Sequence, residues 1–285
     1  MITQVHQAMP ERAIRQLCEV LEVSRSWYYE KQSRPETSEA DVELRETIER
    51  IILDFPGYGY RRVTHALKRI GWIVNHKRVL RIMREESLLC HLTRHFVHPT
   101  DAHHPYPVYP NLVNGESPDA PDVIWVADLT SIRLPSEFVY LATILDAYSR
   151  KCVGWNVSTR MDTHLTLGAL EEAVATREVS PGLIHHSDRG VQYASSAYTE
   201  RLRSRGVQFS MSAKGNVYDN AQAERFFKTL NQEEVDLKQY QTFEEASANS
   251  GQFIEEVDNT KRLHSSLGYL PPSEFEMADY QDVPR

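Results

Sequence analysis

The sequence predicts an α/β protein with an all-helical N-terminal region, and three observations carry that expectation. From residue 122 onward, short apolar runs alternate with amphipathic helical patterns, whereas the apolar residues before residue 88 recur mainly at helical spacing. Residues 55–84 hold eight Lys and Arg and no acid. Three carboxylates, Asp128, Asp188 and Glu224, each fall in a different one of the later segments, with thirty-five residues between the last two.

Residues 11–30 carry Ile14, Leu17, Val20 and Leu21 at helical spacing, then Ser24 in a capping position before a second short helix, a pattern that resembles a helix-turn-helix. A further helix holds Val42, Leu44, Ile48, Ile51 and Ile52 and ends near Pro56, so residues 1–54 form a helical region. The glycines of FPGYGYRR then mark a turn. A helix runs from about Tyr60 to Ile70 and breaks at Gly71; an extended Trp72–Val74 leads to a helix capped by Asn75. There Val79, Leu80 and Met83 are expected to face inward, with Lys77, Arg78, Arg81 and Arg84 on the outer side.

The basic window changes how the net charge of −8 is read, because the rest of the chain then sums to −16. Counterion release on a polyanion depends on local rather than total charge. Residues 55–87 are therefore expected to be a basic helix-turn-helix that contacts DNA through Arg61, Arg62, Lys77, Arg78, Arg81 and Arg84. A merely solvated basic face is the competing reading. Residues 88–121 are rich in proline and histidine and read as a linker; His91, His95, His98, His103 and His104 lack the cysteine or acidic partners of a metal site.

DVIWVADLTSIRL, EFVYLATILDAYS and RKCVGWNVSTR read as three strands, followed by a helix over THLTLGALEEAVATRE. GLIHHSD is a strand, SSAYTERLRSRG a helix, VQFSM a strand and YDNAQAERFFKTLNQEEVD a helix. This is the element order of a ribonuclease-H-like domain, in which the first and fourth strands are central neighbours, so Asp128 and Asp188 are expected side by side. The core is assigned to residues 122–240, and residues 241–285 to one more helix and a tail.

A carboxylate inside an apolar strand is costly unless paired or bound to metal, which marks Asp128. Two or three carboxylates on rigid elements suit Mg²⁺, which takes oxygen ligands and acts on phosphates. Spacing favours Glu224 over Asp219, and Asp146 reads as structural. Lys214 and Asn216, with Tyr218 and Asn220, enter the glutamate helix and are candidate DNA contacts, whereas His185 and His186 read as strand-end residues satisfying the backbone. Lys261, Arg262 and His264 form a basic cluster that follows either a phosphate backbone or a helix end. Three widely spaced cysteines support neither a disulfide framework nor a zinc knuckle. Apolar runs such as FVYLATIL are too short to span a bilayer, and the N-terminus lacks a signal pattern, so a cytoplasmic, nucleoid-associated protein is expected.

The strings WVADLTSI, LDAYSRKCVGW, HHSDRGVQYAS, SAKGNVYDNAQAERFFKTL and NTKRLHSSLGYLPPSEF resemble the catalytic frame of bacterial transposases of the insertion-sequence-three family, which are cousins of retroviral integrases. GYGYRRVTHAL resembles the helix-turn-helix that precedes that core, and the likeness covers roughly residues 50–276. The resemblance implies a DDE recombinase in which Asp128, Asp188 and Glu224 bind two divalent ions, Mg²⁺ or Mn²⁺, to nick an element's ends and transfer the exposed 3′-hydroxyl. It also implies DNA and further copies of the chain as partners, and an upstream-frame protein or fusion. Where the family often has a basic residue two turns after the glutamate this chain has Asn231, with Lys228 one turn after it. Arg189 stands in place of a common glutamine and Asp258 in place of a tyrosine before Asn259. The alternatives are a non-catalytic DNA-binding repressor and a metal-dependent nuclease without strand transfer.

Overall fold

One long strand, buried on both faces over its first four residues, sets the architecture. In the computed structural model, which describes residues 14–20, 23–26, 39–90, 107–113, 118–212 and 220–282, the chain divides into two units, Met1–Arg50 and Ile51–Arg285. The first holds α1 (Ile14–Val20) and most of α2 (Glu39–Asp54), where Leu44 and Ile48, one turn apart, are fully buried. Most of the short helix expected after Ser24 lies outside the described residues.

The second unit opens with α3 (Tyr60–Arg69) and α4 (His76–Glu85). Gly71, at φ +93, makes the break between them, and the Asn75 side chain caps α4 by accepting from Lys77 N at 2.8 Å. The inward face of α4 is Val79, Ile82 and Met83; Ile82 takes the place expected of Leu80, which is half-buried. Positions 79, 82 and 83 hold the tighter i, i+3, i+4 stripe, and 80 sits at its margin.

A five-stranded sheet follows, ordered β3-β2-β1-β4-β5, from β1 (Ile124–Arg133), β2 (Phe138–Asp146), β3 (Cys152–Ser158), β4 (Ile184–Ser187) and β5 (Gln208–Met211). β1 pairs antiparallel with β2 and parallel with β4. This is the ribonuclease-H-like arrangement, with the first and fourth strands adjacent at the centre. On one face Trp125 and Ala127 join Leu165, Ala169 and Leu170 of α5 (Thr163–Thr176) and Tyr198 and Leu202 of α7 (Ser196–Arg203), beyond the short α6 (Val191–Ala194). On the other, Ile124 and Val126 pack with Phe226, Phe227 and Leu230 of α8 (Ala221–Leu230). Both faces are covered, so β1 is apolar on both sides for its first half. α5 lies so close on β3 that a Cβ at Gly154 would collide with the backbone of Ala169 and Ala173.

α8 runs into a π-helical stretch, Asn231–Val235, and then α9 (Asp236–Lys238). The wider turn brings consecutive acids inward: Glu233 and Glu234 have side chains only 5% and 8% exposed. Beyond α10 (Phe243–Gln252) the expected tail is instead an ordered segment ending in a helix, α11 (Pro272–Asp282). Pro272 occupies its first position, where the missing N–H costs nothing. Glu276 of α11 accepts from Arg177 at 2.7 and 2.9 Å and from Ser149 Oγ at 2.7 Å, and that buried network holds the helix to the sheet domain. Part of the 88–121 segment also docks: Tyr109 stacks on Phe209 with ring centroids 4.7 Å apart, and Leu112 N donates to Ser210 Oγ at 2.9 Å.

Candidate active site and nucleic-acid interface

Asp128 lies in the middle of β1 on the even-numbered face, the side covered by α8. The parallel register pairs Ala127 with Ser187, so the next step along both strands sets Asp128 beside Asp188. Glu224, in the first turn of α8, is exposed above that edge of the sheet. The three carboxylates therefore share one corner of the fold.

Three groups besides burial act on Asp128: Asp188, Glu224, and the Leu129 N–H that donates to its Oδ1 at 2.9 Å. Burial first and Asp188 second push its carboxyl up to about 8. Burial also raises Glu224. Asp188 accepts from Gly190 N at 2.9 Å, which orients its carboxylate at the strand end. Among the described residues no three His, Cys, Asp or Glu side chains stand close enough to grip an ion as they are. The donor set nonetheless fits a hard divalent cation: it is all oxygen, it is anionic, and its central member is half-buried beside other carboxylates.

Neighbouring polar residues divide clearly. His185 is buried with Nε2 2.9 Å from the Tyr198 hydroxyl, and burial pushes its pKa down to about 3. His186 reaches Ser210 Oγ at 2.8 Å and Ser212 Oγ at 3.1 Å. Both histidines are satisfied core groups. Asp146 is fully buried and accepts from Asp122 N, Tyr148 N, Ser149 N and Ser149 Oγ, which makes it the keystone of a turn. Asn259 bonds both backbone groups of Cys152 at 2.9 Å, clipping the C-terminal segment to β3.

The chain's relatives can now be set beside this geometry. Residues 118–217 match the family described as integrase core domain, residues 205–272 a second family so described, and residues 39–96 an HTH-like domain. The transposase for insertion sequence element IS904 of Lactococcus lactis subsp. lactis (strain IL1403) is 38% identical over 85% of this chain and 97% of its own length. The transposase InsF for insertion sequence IS3A of Escherichia coli (strain K12) is 34% identical over 95% and 96%. The chain belongs to the IS3 family of insertion-sequence transposases. Among solved structures, a simian T-cell lymphotropic virus intasome in complex with PP2A regulatory subunit B56 gamma aligns at TM-score 0.49 and 16% identity, over 78% of this chain and 71% of that chain. The HTLV-2 integrase catalytic core domain in complex with magnesium aligns at TM-score 0.43 and 15% identity, over 55% and 98%.

On this transposase-family scaffold the basic residues expected at DNA do not all behave alike. Arg61, Lys77, Arg81 and Arg84 are exposed on α3 and α4, and Arg78 is half-buried. Arg62 instead turns inward, its guanidinium 5.8 Å from the centre of the Tyr58 ring. Arg69 forms a two-pronged pair with Glu274 of α11 at 2.6 and 3.1 Å. Arg262 is buried and paired with Glu233 at 2.8 and 2.9 Å, so the cluster of Lys261, Arg262 and His264 owes its central charge to an internal ion pair. Lys228 is exposed one turn beyond Glu224 on α8. Lys214 and Asn216 lie outside the described residues.

Two arginines outside the expected set act on each other where the turn after β2 approaches α8. Arg150 sits in the turn after Asp146 with φ +66, and the positive charge of Arg225, next to Glu224 on α8, acts on it. The signal available was the arginine closing the DAYSRK turn. Glu233 and Glu276, which hold Arg262 and Arg177, were missed because nothing local distinguishes a buried partner from a surface acid. Among the described residues no helix is long and apolar enough to cross a membrane.

Proposed function

We propose that the chain is a DNA transposase that nicks the ends of an insertion element and joins the exposed 3′-hydroxyl to a second phosphodiester. The observation that supports this best is Asp128: a half-buried carboxylate on a central strand, flanked by Asp188 and Glu224 and raised to about 8 in their company. Carboxylates gathered in this way repel one another, and a divalent cation bound among them would relieve that repulsion.

In this reading Asp128, Asp188 and Glu224 hold two divalent ions, Mg²⁺ or Mn²⁺, which supply Lewis-acid activation of the attacking oxygen and stabilisation of the leaving 3′-oxygen. The chain's own residues do the positioning. Leu129 N and Gly190 N fix the two aspartates, so their orientation is set before substrate binds. Arg189 is anchored by donating to Ser212 O at 2.9 Å. Lys228 and Arg225, both exposed on α8 within a turn of Glu224, offer positive charge to the phosphodiester oxygens beside the carboxylates. In the first step water attacks phosphorus and a 3′-oxygen leaves; in the second that 3′-hydroxyl attacks and another 3′-oxygen leaves. The exposed cations of α3 and α4, with Lys214 and Asn216, hold the DNA. Bringing two ends together calls for more than one copy of the chain, with or without an upstream-frame partner.

The test is strand transfer on a labelled duplex carrying the element's terminal repeat, with Mg²⁺ or Mn²⁺, beside the Glu224→Ala variant. Joined products that vanish in the variant are expected. Hydrolysis without joining would identify a nuclease, and binding without cleavage a missing upstream-frame partner or a chain reduced to DNA binding.

A further inference from the structure

A cleft of about 470 Å³ opens between the starts of α3 and α4 and the loop that carries Tyr269. None of its nine lining residues is acidic. Four are rings: Tyr60 and His76, with centroids 6.1 Å apart and planes 33° apart, and His65 and Tyr269, stacked at 3.6 Å and 7°. Tyr60 and His76 are the first residues of two ten-residue helices, so the positive ends of both helix dipoles point at the same space; α4 is already capped by Asn75, whereas α3 has no side-chain cap. Arg61 donates to the Tyr60 hydroxyl at 3.2 Å, and Lys68 adds a second exposed cation.

The Tyr269 wall is held at a conformational cost. Gly268 and Tyr269 stand at φ +64 and +65, a region that non-glycine residues avoid. The loop's position is secured on one side by the Arg69–Glu274 pair and on the other by Leu263 N donating to the Tyr58 hydroxyl at 2.6 Å. Aromatic faces, clustered cations and helix N-termini match an aromatic ring carrying a phosphate. A base within a duplex has both faces covered by its neighbours, so only a nucleotide that has left the stack can use such walls.

We infer that this cleft seats an unpaired nucleotide of the DNA substrate, its base against the Tyr60 and His76 rings and its phosphate at the starts of α3 and α4. The inference rests on the DNA reading above and adds to it a preference for nicked, flapped or distorted DNA over continuous duplex.

Binding of the full chain to a terminal-repeat duplex with one unpaired 2-aminopurine nucleotide, compared with the same duplex fully paired, tests it. Stacking of one base corresponds to roughly tenfold tighter binding, so the flapped duplex should be preferred by about that factor, with 2-aminopurine emission quenched. His76→Leu should abolish the preference and restore emission. If that variant loses its melting transition, Lys68→Gln, at an exposed position, should reduce the preference instead. Equal affinity for both duplexes with bright emission overturns the inference and leaves the DNA reading standing. Binding to neither duplex overturns both. Equal quenching by free 2-aminopurine deoxynucleotide would make the cleft a free-nucleotide site and overturn the assignment to DNA.

Discussion

The middle of β1 and the end of β2 each bury an aspartate, and the two are furnished in opposite ways. Asp146 sits at the end of β2 with no exposure and four donors, three of them backbone or hydroxyl groups of its own turn and one the Asp122 N–H. Asp128 sits mid-strand with one backbone donor and two carboxylates for company. Burial raises the pKa of both; at Asp146 three hydrogen bonds oppose the rise and Asp122 adds to it last, whereas at Asp128 Asp188 is the largest cause after burial and a single hydrogen bond opposes it. The difference separates a carboxylate that serves the fold from one that, in the proposed reading, is kept for a divalent cation.

The comparison breaks most sharply at chemistry. Asp128→Asn should cut strand transfer by on the order of 10³-fold, since metal-held charge stabilisation is worth several kcal/mol. The metal-free melting temperature should hold or rise. A variant that still transfers strands would remove Asp128 from the site. Asp146→Ala should do the reverse. It strips the acceptor from three N–H groups, one buried and two partly buried, at upwards of about 1 kcal/mol each, so a loss of roughly 3–5 kcal/mol is expected in denaturant titration. Stability unchanged by this substitution would undo the keystone role.

A smaller effect sharpens the same contrast through pH. A carboxyl whose folded pKa lies above its unfolded value binds its proton more tightly in the native state, so metal-free stability should fall as pH rises from about 4 to about 8, by up to roughly 1.4 kcal/mol per pH unit. Asp128→Asn should flatten that slope, and added Mg²⁺ should offset it. Thermal melts across this range read both. The smallest expected effect lies outside the core: replacing Arg78 and Arg81 by Ala should weaken binding to any duplex and lower the salt dependence of affinity by a slope of about two. An unchanged slope would return α4 to a solvated face.

Local patterning carried much of the fold. The apolar run DVIWVADLTSIRL, the Asn75 cap and the break at Gly71 are properties of a few adjacent residues, and elements of this kind could be placed in order along the chain. Asp128 stood out because a strand interior punishes an unpaired acid. Ile82 was overlooked because neighbouring residues on a stripe's margin are decided by the surface they meet. α11 was legible in principle from Pro272 at a helix start, yet the side chains that secure Glu276, those of Ser149, Lys151 and Arg177, come from positions far away in the chain. The same limit explains why Arg62 and Arg262 looked like part of a nucleic-acid surface: basic residues are visible in sequence, their carboxylate and aromatic partners are not.

The sequence by itself determined the strand and helix order, the spacing of Asp128, Asp188 and Glu224, and the charge imbalance of residues 55–84, since these depend on short-range periodicity and composition. Only the tertiary structure decided which charges are inward and paired, which acid is a keystone, and that α3, α4 and the Tyr269 loop enclose one cleft. Burial, the cost of an unpartnered charge and the convergence of distant side chains are properties of folded space, and no local stretch of chain encodes them alone.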